Sequence, residues 1–224
     1  MRIREFHPLI GFNVISQIGG YMLTALAVHY FIYHMGASES QISTIFLVYG
    51  IIVVAISPLI GGAANRFGKK PVYLGGLALW AVGDVLNFFW GTSSLLFVLF
   101  SCMAFFGTAF VNSLNWALVS DTVEYGEWRT GVRSEGTVYT GFTFFRKVSQ
   151  ALAGFFPGIM LTQIGYVPNV VQSAGTVEGL RQLIFIYPSL LAVITIVAMG
   201  CFYNLNEKMY VRIVEEIELR KRTA

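Results

Sequence analysis

Two adjacent basic residues, Arg146 and Lys147, lie inside a largely apolar segment of the chain. If this segment is a membrane-spanning helix that begins near Thr137, Lys147 lies ten residues into it, at a depth of about 15 Å for a rise of about 1.5 Å per residue. That depth is the middle of a hydrocarbon core about 30 Å thick. A charge there costs about 2.5–3.5 kcal/mol, so it usually faces a bundle interior or a wet cavity. We therefore predict that Lys147 serves a membrane-embedded site; the alternative is a lysine whose side chain reaches the headgroups.

Charged residues of both signs lie close together just before this segment. They are Asp121, Glu124, Glu127, Arg129, Arg133 and Glu135. No nucleophile, metal-binding cluster or substrate pocket accompanies these acids in the sequence, so we predict neither catalytic nor metal-binding residues, and no enzyme. Exposed ion pairs are worth about 0–1 kcal/mol each, which suits contacts that must form and release. The alternative is an ordinary solvated loop.

The composition is that of a membrane protein. The 224 residues are 55% hydrophobic and only 12% charged, whereas a soluble domain has about 25% charged residues. The mean hydropathy is +0.65. A net charge of +3 is too small to indicate a nucleic-acid partner. These values predict a chain whose surroundings are a lipid bilayer.

Long apolar runs predict six transmembrane helices in an all-α, polytopic fold. The runs cover residues of about 9–34, 42–64, 72–90, 95–119, 137–164 and 183–203. The strands of a membrane β-barrel would instead alternate polar and apolar residues over about ten positions. We predict a transmembrane domain over residues 1–203 and a cytoplasmic tail over 204–224. The spacing of Met209, Ile213 and Ile217 favours a short helix in this tail, although a frayed, solvated tail remains an equal alternative.

The distribution of Lys and Arg predicts that both termini are cytoplasmic. Of the 15 basic residues, 12 lie in the leader, in the connections after the second and fourth spans, or in the tail. They are Arg2, Arg4, Arg66, Lys69, Lys70, Arg129, Arg133, Lys208, Arg212, Arg220, Lys221 and Arg222. Cytoplasmic loops carry such an excess, and an even number of spans requires both termini on one side.

Several polar residues inside the spans are candidates for a binding site. Thr143 and Lys147 are one helical turn apart and share a face, with Gln150 near the same stripe. In other spans the candidates are Asn13, Gln17, Asn112, Asn115 and Trp116. Amides can bind hydroxyl groups and an aromatic ring can stack on an apolar face of a ligand, but interhelical hydrogen bonds or packing explain each residue equally well.

Two further intramembrane charges are interpreted as structural. Arg146 is rotated about 100° from Lys147 on the same helix, and Asp84 is the lone acid inside a predicted span. We predict that Arg146 either pairs with Asp84 or reaches the headgroups.

The connection after the second span reads G-x-x-x-N-R-x-G-K-K over residues 61–70. This order resembles a loop of the major facilitator superfamily, with Asn65 where that loop often has Asp. Arg66 can pair with acids or with helix C-termini at this end of the bundle. Simple anchoring by positive charge is the alternative.

The stretch from Asp121 reads D-x-x-E-Y-G-E-W-x-T-G-x-R-x-E-G and is followed by Lys147 and later by G-Y-V-P-N. It resembles the glycoside–pentoside–hexuronide:cation symporter family of the major facilitator superfamily. The resemblance covers essentially the whole chain, because its six spans match the C-terminal half of a twelve-span carrier. The motif match itself is confined to residues 61–70 and 121–169.

The resemblance implies cation-coupled symport of a sugar or glycoside by alternating access, with Na⁺ or H⁺ as coupling ion and no other cofactor. It places Thr143 and Lys147 near the sugar and cation sites, where Lys147 would order or tune carboxylates of the other half. It assigns the charged residues from Asp121 to Glu135, together with Arg66, to a cytoplasmic gate. It also implies an N-terminal six-helix half as partner and a bacterial inner membrane as location.

A different class of function remains open from the sequence. The family keeps most acidic cation ligands on the N-terminal half. This chain is therefore either one half of a symporter, or a truncated remnant or membrane interaction protein without transport activity of its own.

Overall fold

The computed structural model of the chain describes residues 6–33, 36, 38–91, 93–168, 170–203, 205 and 207–223, without the side chains of 6–9, 33, 94, 208 and 223. Three residues used in the sequence argument, Arg2, Arg4 and Asn169, lie outside this part of the chain. The side chain of Lys208 also lies outside it.

The described residues form helices and contain no β-strand, which confirms the all-α prediction. The helices are α1 (Phe6–Tyr33), α2 (Glu39–Phe67), α3 (Lys69–Trp90), α4 (Ser94–Thr130), α5 (Glu135–Gln163), α6 (Ala174–Arg181), α7 (Tyr187–Phe202) and α8 (Glu207–Thr223). A π-helical turn, Gln182–Ile186, joins α6 to α7. Each of the six predicted spans therefore falls on a helix, and α6 with α7 forms the last of them.

Five helical segments in the described part of the chain are long and apolar enough to cross a membrane. They are Ile10–Ile32, Glu39–Phe67, Lys69–Trp90, Leu95–Thr130 and Ala174–Phe202. Helix α5 has 29 residues, which is sufficient length, but it is less apolar than the others. A membrane helix needs less apolar surface where it faces protein or a wet cavity, so α5 is typical of a helix with one side turned away from lipid.

Helix α4 extends well beyond its predicted end at residue 119. It continues to Thr130 and ends where Gly131 adopts a left-handed conformation with φ of 73°, its amide donating to the carbonyl of Glu127. The residues from Asp121 to Arg129 are therefore helical, and the alternative of an ordinary solvated loop is wrong for them. The extension is stabilised because its apolar side chains, including Val123 and Tyr125, are buried in the main hydrophobic core.

Glycines allow the backbones of α3 and α4 to pack directly against each other. A Cβ atom on Gly107 would lie 2.4 Å from the carbonyl oxygen of Gly76, and one on Gly83 would lie 2.6 Å from the amide of Ala104. Small residues allow this approach of two backbones in membrane helices. The pair α3–α4 is thus a tightly packed unit, and α4 also carries the polar candidates Asn112, Asn115 and Trp116.

The tail is a helix that packs against the rest of the bundle. Ile213 and Ile217 of α8 are buried in the same core as Val123 and Tyr125 of α4. The Nζ atom of Lys70 donates to the carbonyl of Tyr203 at 2.5 Å. The α2–α3 turn, the end of α4 and α8 consequently meet at one end of the bundle, which we call the charged end. Its side of the membrane stays a prediction.

Candidate functional site

Two interhelical hydrogen bonds join predicted site residues on α1 to α4 and to α5. The Nε2 atom of Gln17 donates to Oδ1 of Asn112 at 3.2 Å. The Nε2 atom of Gln150 donates to the hydroxyl of Tyr21 at 2.9 Å. Because Gln17 and Tyr21 are one turn apart on α1, the two bonds lie next to each other on one face.

A cation–aromatic contact joins α4 to α5 beside these bonds. The guanidinium carbon of Arg146 lies 5.4 Å from the centroid of the Trp116 ring. That ring is stacked with Tyr139 at 6.3 Å and meets Phe142 edge-on at 5.1 Å. Such a cation–aromatic contact contributes about 0.5–2 kcal/mol, more where water is excluded.

The contacts close into a ring across three helices. Asn112 and Trp116 are one turn apart on α4, and Arg146 and Gln150 are one turn apart on α5. The ring consists of Gln17, Tyr21, Asn112, Trp116, Arg146 and Gln150, and we call it the polar ring. One side of it is open, because Asn112 and Gln150 are exposed and Trp116 is 42% exposed. The polar ring can therefore present amide, hydroxyl and guanidinium groups to one ligand.

Hydroxyl groups line a cleft next to the polar ring. The cleft runs between α1, α2 and α4 and includes Ser16, Thr24, Tyr49 and Thr108. The hydroxyls of Tyr49 and Thr108 lie 3.5 Å apart. The sequence argument missed these residues and Tyr21, because single Tyr, Ser and Thr residues are common in membrane helices and carry no pattern of their own.

Thr143 and Lys147 lie on the exposed side of α5, at the edge of the polar ring. Among the described residues, no carboxylate lies within ion-pair distance of Lys147. The side chains predicted to share one stripe are all exposed, but Gln150 is joined to Tyr21, whereas Lys147 has no ion-pair partner among the described residues. The roles of Thr143 and Lys147 stay predictions.

Asn13 and Asn115 lie in the packed interior rather than on the open side. They are 2% and 3% exposed, and the Nδ2 atom of each has no hydrogen-bond partner among the described residues. They are the members of the predicted amide set that the fold does not bring to the polar ring.

Of the two alternatives for Arg146, contact with Asp84 or with the headgroups, the contact with Asp84 is wrong. Asp84 is 1% exposed on α3, and no ion pair joins it to Arg146 in the described part of the chain. The guanidinium lies over Trp116 instead. The pairing failed because Arg146 contacts Trp116 of α4, whereas Asp84 lies buried on α3.

The charged end holds a second cluster of predicted residues. Asp121 accepts from Nζ of Lys69 at 2.6 Å. Glu127 accepts from Arg133 at 2.9 Å and from Lys221 of α8 at 2.7 Å. Arg133 also contacts Glu135 at 3.2 Å, and its two carboxylate partners raise the pKa of its guanidinium, Glu127 first. Lys69 and Lys221 were counted only as positive charge from the sequence, yet they are the partners of the two buried acids.

Two hydrogen bonds at Trp128 join helix α8 to the end of α4. The indole Nε1 of Trp128 donates to Glu216 at 2.7 Å, and Arg220 donates to the Trp128 carbonyl at 2.8 Å. The bond from Trp128, followed by one from Arg212, lowers the pKa of the Glu216 carboxyl. Burial, together with a hydrogen bond to Glu124, raises the pKa of Tyr210.

The other two gate candidates contact aromatic residues rather than acids. Arg129 donates to the hydroxyl of Tyr125 at 3.2 Å. The guanidinium carbon of Arg66 lies 5.3 Å from the centroid of Phe67. Lys69, and not Arg66, thus supplies the cation that pairs with an acid at the α2–α3 turn. The described residues contain no group of three or more His, Cys, Asp or Glu side chains placed to hold a metal ion.

Comparison with known proteins is consistent with a membrane carrier. The sequence pattern of a family described as "MFS/sugar transport protein" matches residues 1–207. The chain is 79% identical over 178 residues to a Salmonella typhimurium protein named "Putative 2,3-dihydroxypropane-1-sulfonate exporter", covering 80% of the chain and 38% of that protein. It is 65% identical over 178 residues to that organism's "Putative sulfoquinovose importer", covering 80% and 37%. It is 37% identical over 182 residues to the "Glucuronide carrier protein homolog" of Escherichia coli, covering 80% and 40%. The aligned part is less than half of each relative.

Proposed function

The chain belongs to the MFS/sugar transport protein family, and from this premise we propose that it forms one six-helix half of an alternating-access carrier for a hydroxylated solute. The family consists of transporters rather than enzymes, and the apolar helices make this a multi-pass membrane protein. The observation that carries the proposal is the polar ring, whose amides and guanidinium are open on one side.

We propose that the solute carries a sulfonate as well as hydroxyl groups. This rests on the names of the relatives, since those that share 79% and 65% identity are named for 2,3-dihydroxypropane-1-sulfonate and for sulfoquinovose. The higher of the two identities favours the three-carbon compound. Alternating access is reversible, so the gradients across the membrane decide between export and import.

The second half of the carrier is proposed as a separate six-helix unit. Substrate sites of such carriers lie at the interface of two halves near the middle of the bilayer. The open side of the polar ring and the exposed polar side of α5, with Thr143 and Lys147, suit that interface better than lipid. An N-terminal half would cover this side and complete the site.

We further propose that transport is coupled to Na⁺ or H⁺. Lys147 would lie within reach of carboxylates on the N-terminal half and would order them when no cation is bound. Asp84 is a poor cation ligand for this site because it is buried on α3, outside the polar ring. No other cofactor is proposed.

The charged end would form the inner gate, with both termini in the cytoplasm of a bacterium and the carrier in its inner membrane. Four of its acids, Asp121, Glu124, Glu127 and Glu135, would exchange partners between the halves as the carrier rocks. Although Asp121 and Glu127 are buried, their cations keep contact with water, from 22% exposed at Lys69 to 60% at Lys221, and such pairs are weak enough for exchange. A remnant without transport activity is not favoured, given the 79% identity to a relative named as an exporter.

Transport in cells tests the proposal. One strain expresses the chain alone, and a second co-expresses it with the N-terminal half of the relative that is 79% identical. Movement of labelled 2,3-dihydroxypropane-1-sulfonate, sulfoquinovose and a glucuronide is measured with and without Na⁺ and pH gradients. We expect movement of a sulfonate only in the second strain. No movement of any solute there, with both halves inserted, would contradict the proposal, and movement by the chain alone would contradict the need for a second half.

A further inference from the structure

One member of the polar ring carries a permanent charge. The guanidinium of Arg146 stays protonated in proteins. In the described part of the chain, no carboxylate lies within ion-pair distance of it. Its neighbour is the uncharged ring of Trp116, and its Nε atom is buried without a hydrogen-bond acceptor. Arg146 is half-buried overall, and withdrawing part of a cation from water without an anion beside it is costly, so this position calls for a negative partner.

We infer that the partner is the sulfonate group of the transported solute, with Arg146 as the residue that recognises it. The inference rests on the proposed function. A sulfonate is anionic at all physiological pH values and offers three oxygens. The planar guanidinium presents parallel N–H donors that match two oxygens of such a group, which a lysine ammonium does not. The contact with Trp116 keeps the guanidinium close to this ring before the solute arrives.

The neighbours of Arg146 supply the rest of a hydroxysulfonate site. Gln150 is one turn away on α5, and its amide is held by Tyr21. Asn112 is one turn from Trp116 and is held by Gln17. Because α4 and α5 are joined by a short connection and run antiparallel, both amides lie one turn from the cation in the same direction. Two amides next to one cation suit a molecule whose hydroxyls are adjacent to its anionic end. The polar ring would therefore bind the sulfonate at Arg146 and the hydroxyls at the amides.

Lys147, the adjacent cation, is less suited to this role. It is rotated by about 100° on α5, and its side chain is exposed at the edge of the polar ring. It also contacts no aromatic ring that would fix its orientation in the described part of the chain. The two charges are thus assigned to different partners: Arg146 to the solute and Lys147 to the other half.

Competition binding tests the assignment in the carrier made from the full chain and the co-expressed N-terminal half. Bound labelled 2,3-dihydroxypropane-1-sulfonate is displaced by the same unlabelled compound or by propane-1,2-diol, which has hydrogen in place of the sulfonate. The ratio of the two affinities measures sulfonate recognition and does not depend on the amount of folded protein. The variants are Arg146→Gln, Arg146→Lys, Lys147→Gln and the control Arg222→Gln, which removes the same charge from an exposed position at the end of α8.

We expect Arg146→Gln to lower the ratio by about 10- to 100-fold, the usual range for a hydrogen-bonded charge. Arg146→Lys should lower it less, and Arg222→Gln should leave it unchanged.

An equal loss of both affinities in Arg146→Gln would make Arg146 a structural residue and overturn the inference. A ratio that falls in Lys147→Gln but not in Arg146→Gln would overturn it as well. If Arg146→Gln does not fold, an unchanged ratio in Arg146→Lys overturns the two-oxygen contact. If the unaltered carrier binds neither compound, the proposed function is refuted and the inference with it. If the unaltered carrier binds and Arg146→Gln leaves the ratio unchanged, the inference alone is refuted.

Discussion

Replacement of Gly107 by Ala should loosen the contact between α3 and α4. The added Cβ atom would lie 2.4 Å from both the carbonyl oxygen of Gly76 and the amide nitrogen of Trp80, and 2.9 Å from the Cα atom of Trp80. All three are backbone atoms, so no side-chain rotation can relieve the overlap. The two helices would have to separate by roughly 1 Å, given carbon contacts of about 3.5–4.0 Å.

The size of the effect follows from comparison with a second glycine. Overpacking a well-packed interface costs about 1–3 kcal/mol, and the backbone overlap at Gly107 places it towards the upper end. Alanine itself favours a helix over glycine by about 0.8–1.0 kcal/mol. Gly75→Ala on α3 gains this propensity without any clash, because nothing lies within 4 Å of its Cβ position. The difference between the two variants is therefore the packing cost alone.

Thermal unfolding of the purified chain in detergent measures this difference through tryptophan fluorescence. For a chain of this length, about 1 kcal/mol shifts the midpoint by about 2–4 °C. We expect Gly107→Ala to unfold roughly 5–10 °C below Gly75→Ala on this scale. Equal midpoints would show that α3 and α4 are not in backbone contact at this position, and the reasoning would fail.

Three further predictions concern the site and the tail. In the assembled carrier, Lys147→Gln should lower cation-coupled uptake while membrane insertion, measured by surface labelling, stays normal; unaltered coupling would exclude its assigned role. Asn112→Leu removes the acceptor for Gln17, so the concentration for half-maximal uptake should rise about tenfold, and an unchanged value would remove this amide pair from the site. Trp128→Phe removes the hydrogen bond to Glu216, so amide exchange in α8 should be faster at neutral pH. That bond lowers the pKa of Glu216 in the folded chain. The stabilisation of α8 by the bond is therefore present above the ordinary pKa of a glutamate and is lost as the pH falls through the lowered pKa of Glu216. Exchange in the unaltered chain should therefore approach that of Trp128→Phe in acid, and identical exchange at neutral pH would contradict the role of this bond.

The charged stretch shows how tertiary contacts can extend a helix past the point where the sequence suggests its end. The acids and bases from Asp121 onwards lie beyond the predicted end of the fourth span at residue 119, because apolar runs are the main signal for a membrane span. The helix continues because α8 covers its apolar side, with Ile213 and Ile217 in the same core as Val123. Nothing in the local sequence states that a segment more than eighty residues later supplies this cover.

The membrane fold was determined by the sequence itself. A backbone in lipid must satisfy its own hydrogen bonds, so long apolar runs could only be helices, and their approximate positions followed directly. The partners of individual side chains were decided only by the tertiary structure. Whether Arg146 faces Asp84 or Trp116, and whether Gln150 reaches Tyr21, depends on the rotation and relative height of helices that are distant along the chain. Helical periodicity fixes which residues share a face, but the packing of side chains between helices fixes what that face meets.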